Sequence, residues 1–173
     1  MPDLPLKKPP PLVGLPPLLW RPINLGEAPQ LLKFLRSFYK EEHLAFDPAI
    51  QGHAVRELLH TPTLGAAFFL RPGDSGGPAA ALSAPLGHLV LTHGFSLEFG
   101  GPFVLLDELC LTPAVRGKGE GQRAVAFAAA WARNQGARAL RLEVARDNLP
   151  ARHAYERAGL CADKRDLMTF RLH

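Results

Sequence analysis

Residues 115–122 read VRGKGEGQ: three glycines at alternate positions, interleaved with charge and entered from Arg116. Such a stretch has no apolar surface to bury, and its glycines weaken any helix they interrupt. Before it stands PFVLLDELCLT (102–112), an apolar run with strand character; after it comes AVAFAAAWARNQ (124–135), a helix apolar almost all round and therefore buried, stopped at Gly136. A glycine loop between a strand and a helix offers unpaired backbone N–H groups at the positive end of the helix dipole, which favours an anion. Arg116, Lys118 and Arg123 add formal charge. A tight turn that binds nothing is the plainer alternative, but it does not require three alternate glycines.

The flanking sequence supplies the rest of the unit. LGHLVLTHGFSLEF (86–99) and the 102–112 run, separated by Gly100-Gly101, predict a hairpin. Upstream, LLWRPI is a short strand, 27–42 places Leu31, Leu35 and Phe38 on one helical stripe, and Asp47 caps a second helix carrying Ile50, Val55, Leu58 and Leu59. LGAAFFL (64–70) reads as a buried strand and 71–85 as a glycine- and proline-rich loop. Downstream, ARALRLEVA alternates as a strand, Asn148 caps a helix that tolerates Pro150 and ends near Gly159, and LMTFRLH (167–173) closes the chain as a strand. The order is strand, two helices, three strands, helix, strand, helix, strand. The predicted fold class is α/β: a mixed sheet, antiparallel in its first half and then parallel, flanked by about four helices.

The 173 residues suffice for one domain, assigned to 18–173. Residues 1–17 form a proline-rich, polyproline-like arm for which disorder is an option; its prolines break the apolar run a signal peptide needs. No run approaches the length of a membrane span. Two cysteines make no disulfide framework, so a cytoplasmic location is expected. Residues 1–111 carry net −2 and residues 112–173 net +6. The basic half lacks the aromatic interleaving of a nucleic-acid platform, so a small polyanion is the better match than nucleic acid. The seven histidines have no ligand spacing, and no metal is assigned.

Neither nucleotide loop fits. No Lys-Ser or Lys-Thr pair completes a Walker loop, and the glycines are spaced two and two rather than as G-x-G-x-x-G. Arg116-Gly117-Lys118-Gly119-Glu120-Gly121 instead resembles the R/Q-x-x-G-x-G/A signature of the Gcn5-related N-acetyltransferases. Asn148-Leu-Pro-Ala151-Arg-His-Ala-Tyr155-Glu-Arg-Ala-Gly159 resembles that family's second motif, and DELCLTP its central strand. The resemblance is specific from about residue 86 to 161; the earlier residues match by element order.

The resemblance implies acetyl-coenzyme A as cosubstrate, its pyrophosphate on the amides of Gly117, Lys118, Gly119, Glu120, Gly121 and Gln122, with Arg116 beside them. It implies a bulged central strand whose Leu109, Cys110 and Leu111 line the pantetheine arm, and further contacts at Asn148, Ala151 and Tyr155. Tyr155 would be the general acid. Asp107 and Glu108 are the candidate bases, with adjacent strand residues expected to face opposite ways so that one reaches the acceptor; Glu143 is a third candidate. Cys110 reads as a core residue, since direct transfer needs no covalent nucleophile. Glu120 is the awkward member: turned to solvent it costs little, aimed at phosphates it weakens binding. The expected activity is acetylation of a primary amine on a small molecule, with a cationic or polyamine-like acceptor in view. A peptide N-acetyltransferase and a non-catalytic acyl-coenzyme A sensor are the alternatives, and a homodimer stays open.

Overall fold

The computed structural model describes residues 18–73 and 84–172. The proline arm (1–17) and the middle of the 71–85 loop lie outside the described residues. Five strands form one sheet in the order β1-β2-β3-β4-β5: β1 Leu18–Pro22, β2 Gly65–Pro72, β3 Gly87–Ser96, β4 Gly101–Leu111 and β5 Ala139–Leu142. The first four pair antiparallel and β5 joins β4 in parallel, as the predicted order requires. The hairpin closes through Leu97–Gly100, with Gly100 at φ 71°.

Among the described residues four α-helices cover the sheet: α1 Ala28–Glu41, α2 Pro48–His60, α3 Glu120–Asn134 and α4 Leu149–Arg157. A single 3-10 turn, Leu25–Glu27, leads into α1. Asp47 caps α2 as expected, its carboxylate accepting from the N–H groups of Ala49 and Ile50 at 2.7 and 3.2 Å. Strand alternation then sorts the core into two layers. Leu31, Leu35 and Val55 of α1 and α2 meet Ala67, Phe69 and Val90 on one face. Val125, Ala128 and Ala132 of α3 meet Phe68, Leu89, Leu91, Val104 and Leu106 on the other.

Three expectations are corrected here. Ile50 is 65% exposed, because the buried side of α2 runs through Gly52 and Val55 instead. α3 begins at Glu120, four residues before the alanine-rich run, since the glycine loop supplies its first turn. Residues 167–172 form no strand: a strand requires a ladder partner and these residues have none among the described residues, leaving Met168, Phe170 and Leu172 exposed.

Candidate active site

The site begins with a register fault. Val90 of β3 stands opposite Glu108 of β4, yet the next residue, Leu91, stands opposite Leu106. Asp107 is therefore an extra residue, a β-bulge, and the faces of β4 exchange across it. Before it, Val104 and Leu106 point into the α3 layer. After it, Leu109 packs toward that layer, while Glu108 and Cys110 sit opposite Val90 and His88 on the α1–α2 side.

The bulge has a second consequence. Pairing between β4 and β5 stops at Leu106–Leu142, one residue before Asp107. Residues 109–111 are thus paired to β3 alone. The Thr112 N–H donates to the Leu86 carbonyl on the β3 side at 2.8 Å, so alternation turns the N–H and C=O of Leu111, and those of Leu109, to the open edge. The Leu111 carbonyl on that edge accepts from Arg116 Nε at 2.7 Å.

Both acids of β4 line one cavity, with Tyr39 of α1 among the other lining residues. The expectation that they face opposite ways fails because simple alternation does not hold across a bulge. Glu108 is 9% exposed, and among the described residues its Oε2 has no hydrogen-bond partner. Burial pushes its carboxyl up to about 7; the Asp107 and Glu42 charges push the same way, while a hydrogen bond from Tyr39 pulls against them. Asp107 is more exposed but still crowded, and burial followed by the Glu143 charge raises its carboxyl too. Tyr39, whose phenol is pushed well above its ordinary value by burial and by Glu108, had no assigned role in the sequence. The only signal is its place four residues after Leu35 on the buried stripe of α1.

Beyond β4 the glycine loop enters α3. Gly117 and Gly119 have φ of 73° and 82°, a region that strains any residue with a Cβ. Gly119 occupies the N-cap of α3 and supplies no capping side chain. Arg116 bridges two elements, donating to Glu41 at the end of α1 at 2.7 Å as well as to Leu111. Lys118 turns back to the Ala114 carbonyl at 2.8 Å.

Glu120 does neither of the things expected of it. Its side chain is 2% exposed and receives Arg123 Nε at 2.7 Å; the same guanidinium holds the Lys118 carbonyl at 2.7 Å. The carboxylate is turned inward, compensated one helical turn away. Through Arg123 it is linked to the Lys118 carbonyl of the loop.

On the α4 side, Asn148 accepts from the Ala151 N–H at 3.3 Å as the predicted cap. Tyr155 packs against the α3 layer, and burial, then the Glu42 charge, raises its phenol. Glu42 thus acts electrostatically on both Tyr155 and Glu108, which lie on opposite sides of the open edge. Cys110 is buried, and burial followed by the Glu41 charge pushes its thiol up, the wrong direction for a nucleophile. Among the described residues there is no group of three or more metal-ligating side chains. Nor is any described helix long and apolar enough to cross a membrane.

The sheet is thus opened at a bulge beside a glycine-led helix. The family model for the acetyltransferase (GNAT) family matches residues 32–160, and the chain belongs to that family. Among solved structures, an integron cassette protein from the mobile metagenome of Cole Harbour Salt Marsh is 29% identical (TM-score 0.73), over 89% of this chain and 90% of that one. The aminoglycoside N-acetyltransferase AAC(6')-Iy in complex with CoA is 14% identical (TM-score 0.72), over 92% and 98%. A ribosomal-protein-alanine N-acetyltransferase from Brucella melitensis biovar Abortus 2308 is 18% identical (TM-score 0.66), over 90% and 100%. No curated protein matches the sequence.

Proposed function

We propose that the chain transfers acetyl from acetyl-coenzyme A to a primary amine of a small, cationic molecule, by direct attack with both substrates bound. The observation that carries this reading is Glu108: a buried carboxylate with an oxygen unpartnered among the described residues, lining a cavity beside the open edge of β4.

The residues present fit the cosubstrate. Gly119 leaves the N-terminus of α3 uncapped for phosphate, and the open edge at Leu109 offers backbone partners to an amide-bearing arm. The amides of Gly117 to Gln122 would hold the pyrophosphate, with Asn148 and Ala151 at the neighbouring helix start. When bound, the thioester supplies an activated acyl carbon.

The chain's own groups then divide the proton work. Glu108, at about 7, accepts a proton from the incoming ammonium, freeing the nitrogen lone pair to form the N–C bond. The Leu111 N–H, on the open edge, donates to the carbonyl oxygen as it gains charge; one such donor contributes about 3 kcal/mol. Tyr155, kept protonated by its raised phenol, donates to the sulfur as the C–S bond breaks. The nitrogen's second proton restores the phenol, and Glu108 passes its proton to water. Amide, free thiol and one released proton balance the reaction.

Release of free thiol from acetyl-coenzyme A, measured against amines, amino acids, aminoglycosides and peptides, tests the assignment. Turnover on small amines supports it. Turnover confined to peptides, or cofactor binding without turnover on any acceptor, refutes it in favour of a peptide acetyltransferase or a sensor respectively.

A further inference from the structure

The cavity beneath α1 and α2 has a volume of about 310 Å³. Asp107 and Glu108 occupy one part of its lining, and Glu57 of α2 another. Much of the remaining wall is apolar, built from Leu31, Leu35, Val55 and Leu58. Among the described residues no lysine or arginine lines it, although the chain has 20. A second hollow at the end of α1 is lined by Glu41, Glu42 and Asp147, and among the described residues no lysine or arginine lines it. Glu41 of this second hollow is ion-paired to Arg116 of the glycine loop, while Asp107 and Glu42 are the acids whose charges act on Glu108.

These surroundings select more narrowly than for amines in general. A stem rich in hydroxyls would leave polar groups unpartnered against leucine and valine. A methylene stem gains from the same wall, roughly fourfold in affinity for each CH2 buried. Glu57 is 57% exposed, and among the described residues its ion-pair partner is the exposed His53 ring at 3.6 Å, a contact of the kind that contributes little. Its carboxylate is available to a second cation at the cavity rim.

We infer that the acceptor is an aliphatic diamine or longer polyamine. Its reacting amine stands at Asp107 and Glu108, its methylene stem lies along the α1–α2 wall, and its distal ammonium meets Glu57. This rests on the acetyl-transfer reading above and assigns that site its substrate class.

The test uses the full chain with saturating acetyl-coenzyme A and follows thiol release with three acceptors of one stem length: 1,6-diaminohexane, hexylamine and 6-aminohexanoate. The expected kcat/KM for the diamine exceeds that for hexylamine by at least tenfold, with 6-aminohexanoate slowest because its carboxylate faces Glu57. In Glu57→Gln the ratio of diamine to hexylamine falls toward one. Hexylamine turning over as well as the diamine overturns the inference, as does a diamine preference that Glu57→Gln leaves intact. Absence of turnover on all three, with aminoglycosides or peptides accepted, also overturns it. Absence of turnover on every acceptor defeats the underlying acetyl-transfer reading instead.

Discussion

Two buried groups on the α1–α2 face of the sheet titrate in opposite directions, and replacing either should expose the other. His88 is fully buried, edge-on to the rings of Phe34 and Phe38, and neither ring nitrogen has a hydrogen-bond partner among the described residues. Burial lowers it from 6.5 to about 4. The stability it contributes is present above pH 6.5 and lost as pH falls toward 4. Glu108 is raised from 4.5 to about 7, so its contribution is present below pH 4.5 and lost as pH rises through 7. Each shift, at 1.36 kcal/mol per pH unit, corresponds to about 3 kcal/mol. In the wild type the two slopes oppose one another between pH 4.5 and 6.5. Urea unfolding of wild type, His88→Leu and Glu108→Gln across pH 4 to 7.5 separates them, because every other group cancels in the differences. The stability of wild type minus His88→Leu should rise by about 3 kcal/mol from pH 4 to 6.5. Wild type minus Glu108→Gln should fall by a similar amount from pH 4.5 to 7. Differences that stay flat with pH would refute the burial argument for the group concerned.

Tyr155→Phe should lower kcat while leaving acetyl-coenzyme A affinity, read by calorimetry, nearly unchanged; equal turnover removes Tyr155 as the acid. Glu120→Leu should destabilise the fold by about 1–3 kcal/mol in urea unfolding, since Arg123 loses its buried partner. An unchanged midpoint would mean the pair contributes nothing. Asp47→Ala should cost about 1 kcal/mol through the two N–H groups it leaves uncapped, measured the same way.

Most of the architecture was legible because its signals are local: the Asp47 and Asn148 caps, the glycines at 100, 136 and 159, and the helical stripe of Leu31 and Leu35 all stand where the sequence put them. The sequence could name candidate site residues but not their geometry. Val104, Leu106, Glu108 and Cys110 fall on alternate positions and are all buried, a pattern a straight strand would also produce. The exchange of faces at Asp107 comes from register against β3, which no single-strand pattern carries. Glu120 misled for a similar reason. A carboxylate among glycines reads as solvated until Arg123, three residues on, is seen to cover it. Residues 167–172 have a strand's alternation but no neighbour to ladder with among the described residues, and alternation alone cannot supply one.

The central claim is that Glu108 removes the proton from the acceptor amine. The pH dependence of kcat/KM for acetylation of 1,6-diaminohexane, compared between wild type and Glu108→Gln, tests it most directly. The account predicts a wild-type profile rising with pH to a break near 7, and in the variant a loss of about 10²–10⁴ in rate with that break abolished. A variant that keeps the wild-type rate and the same break would contradict it.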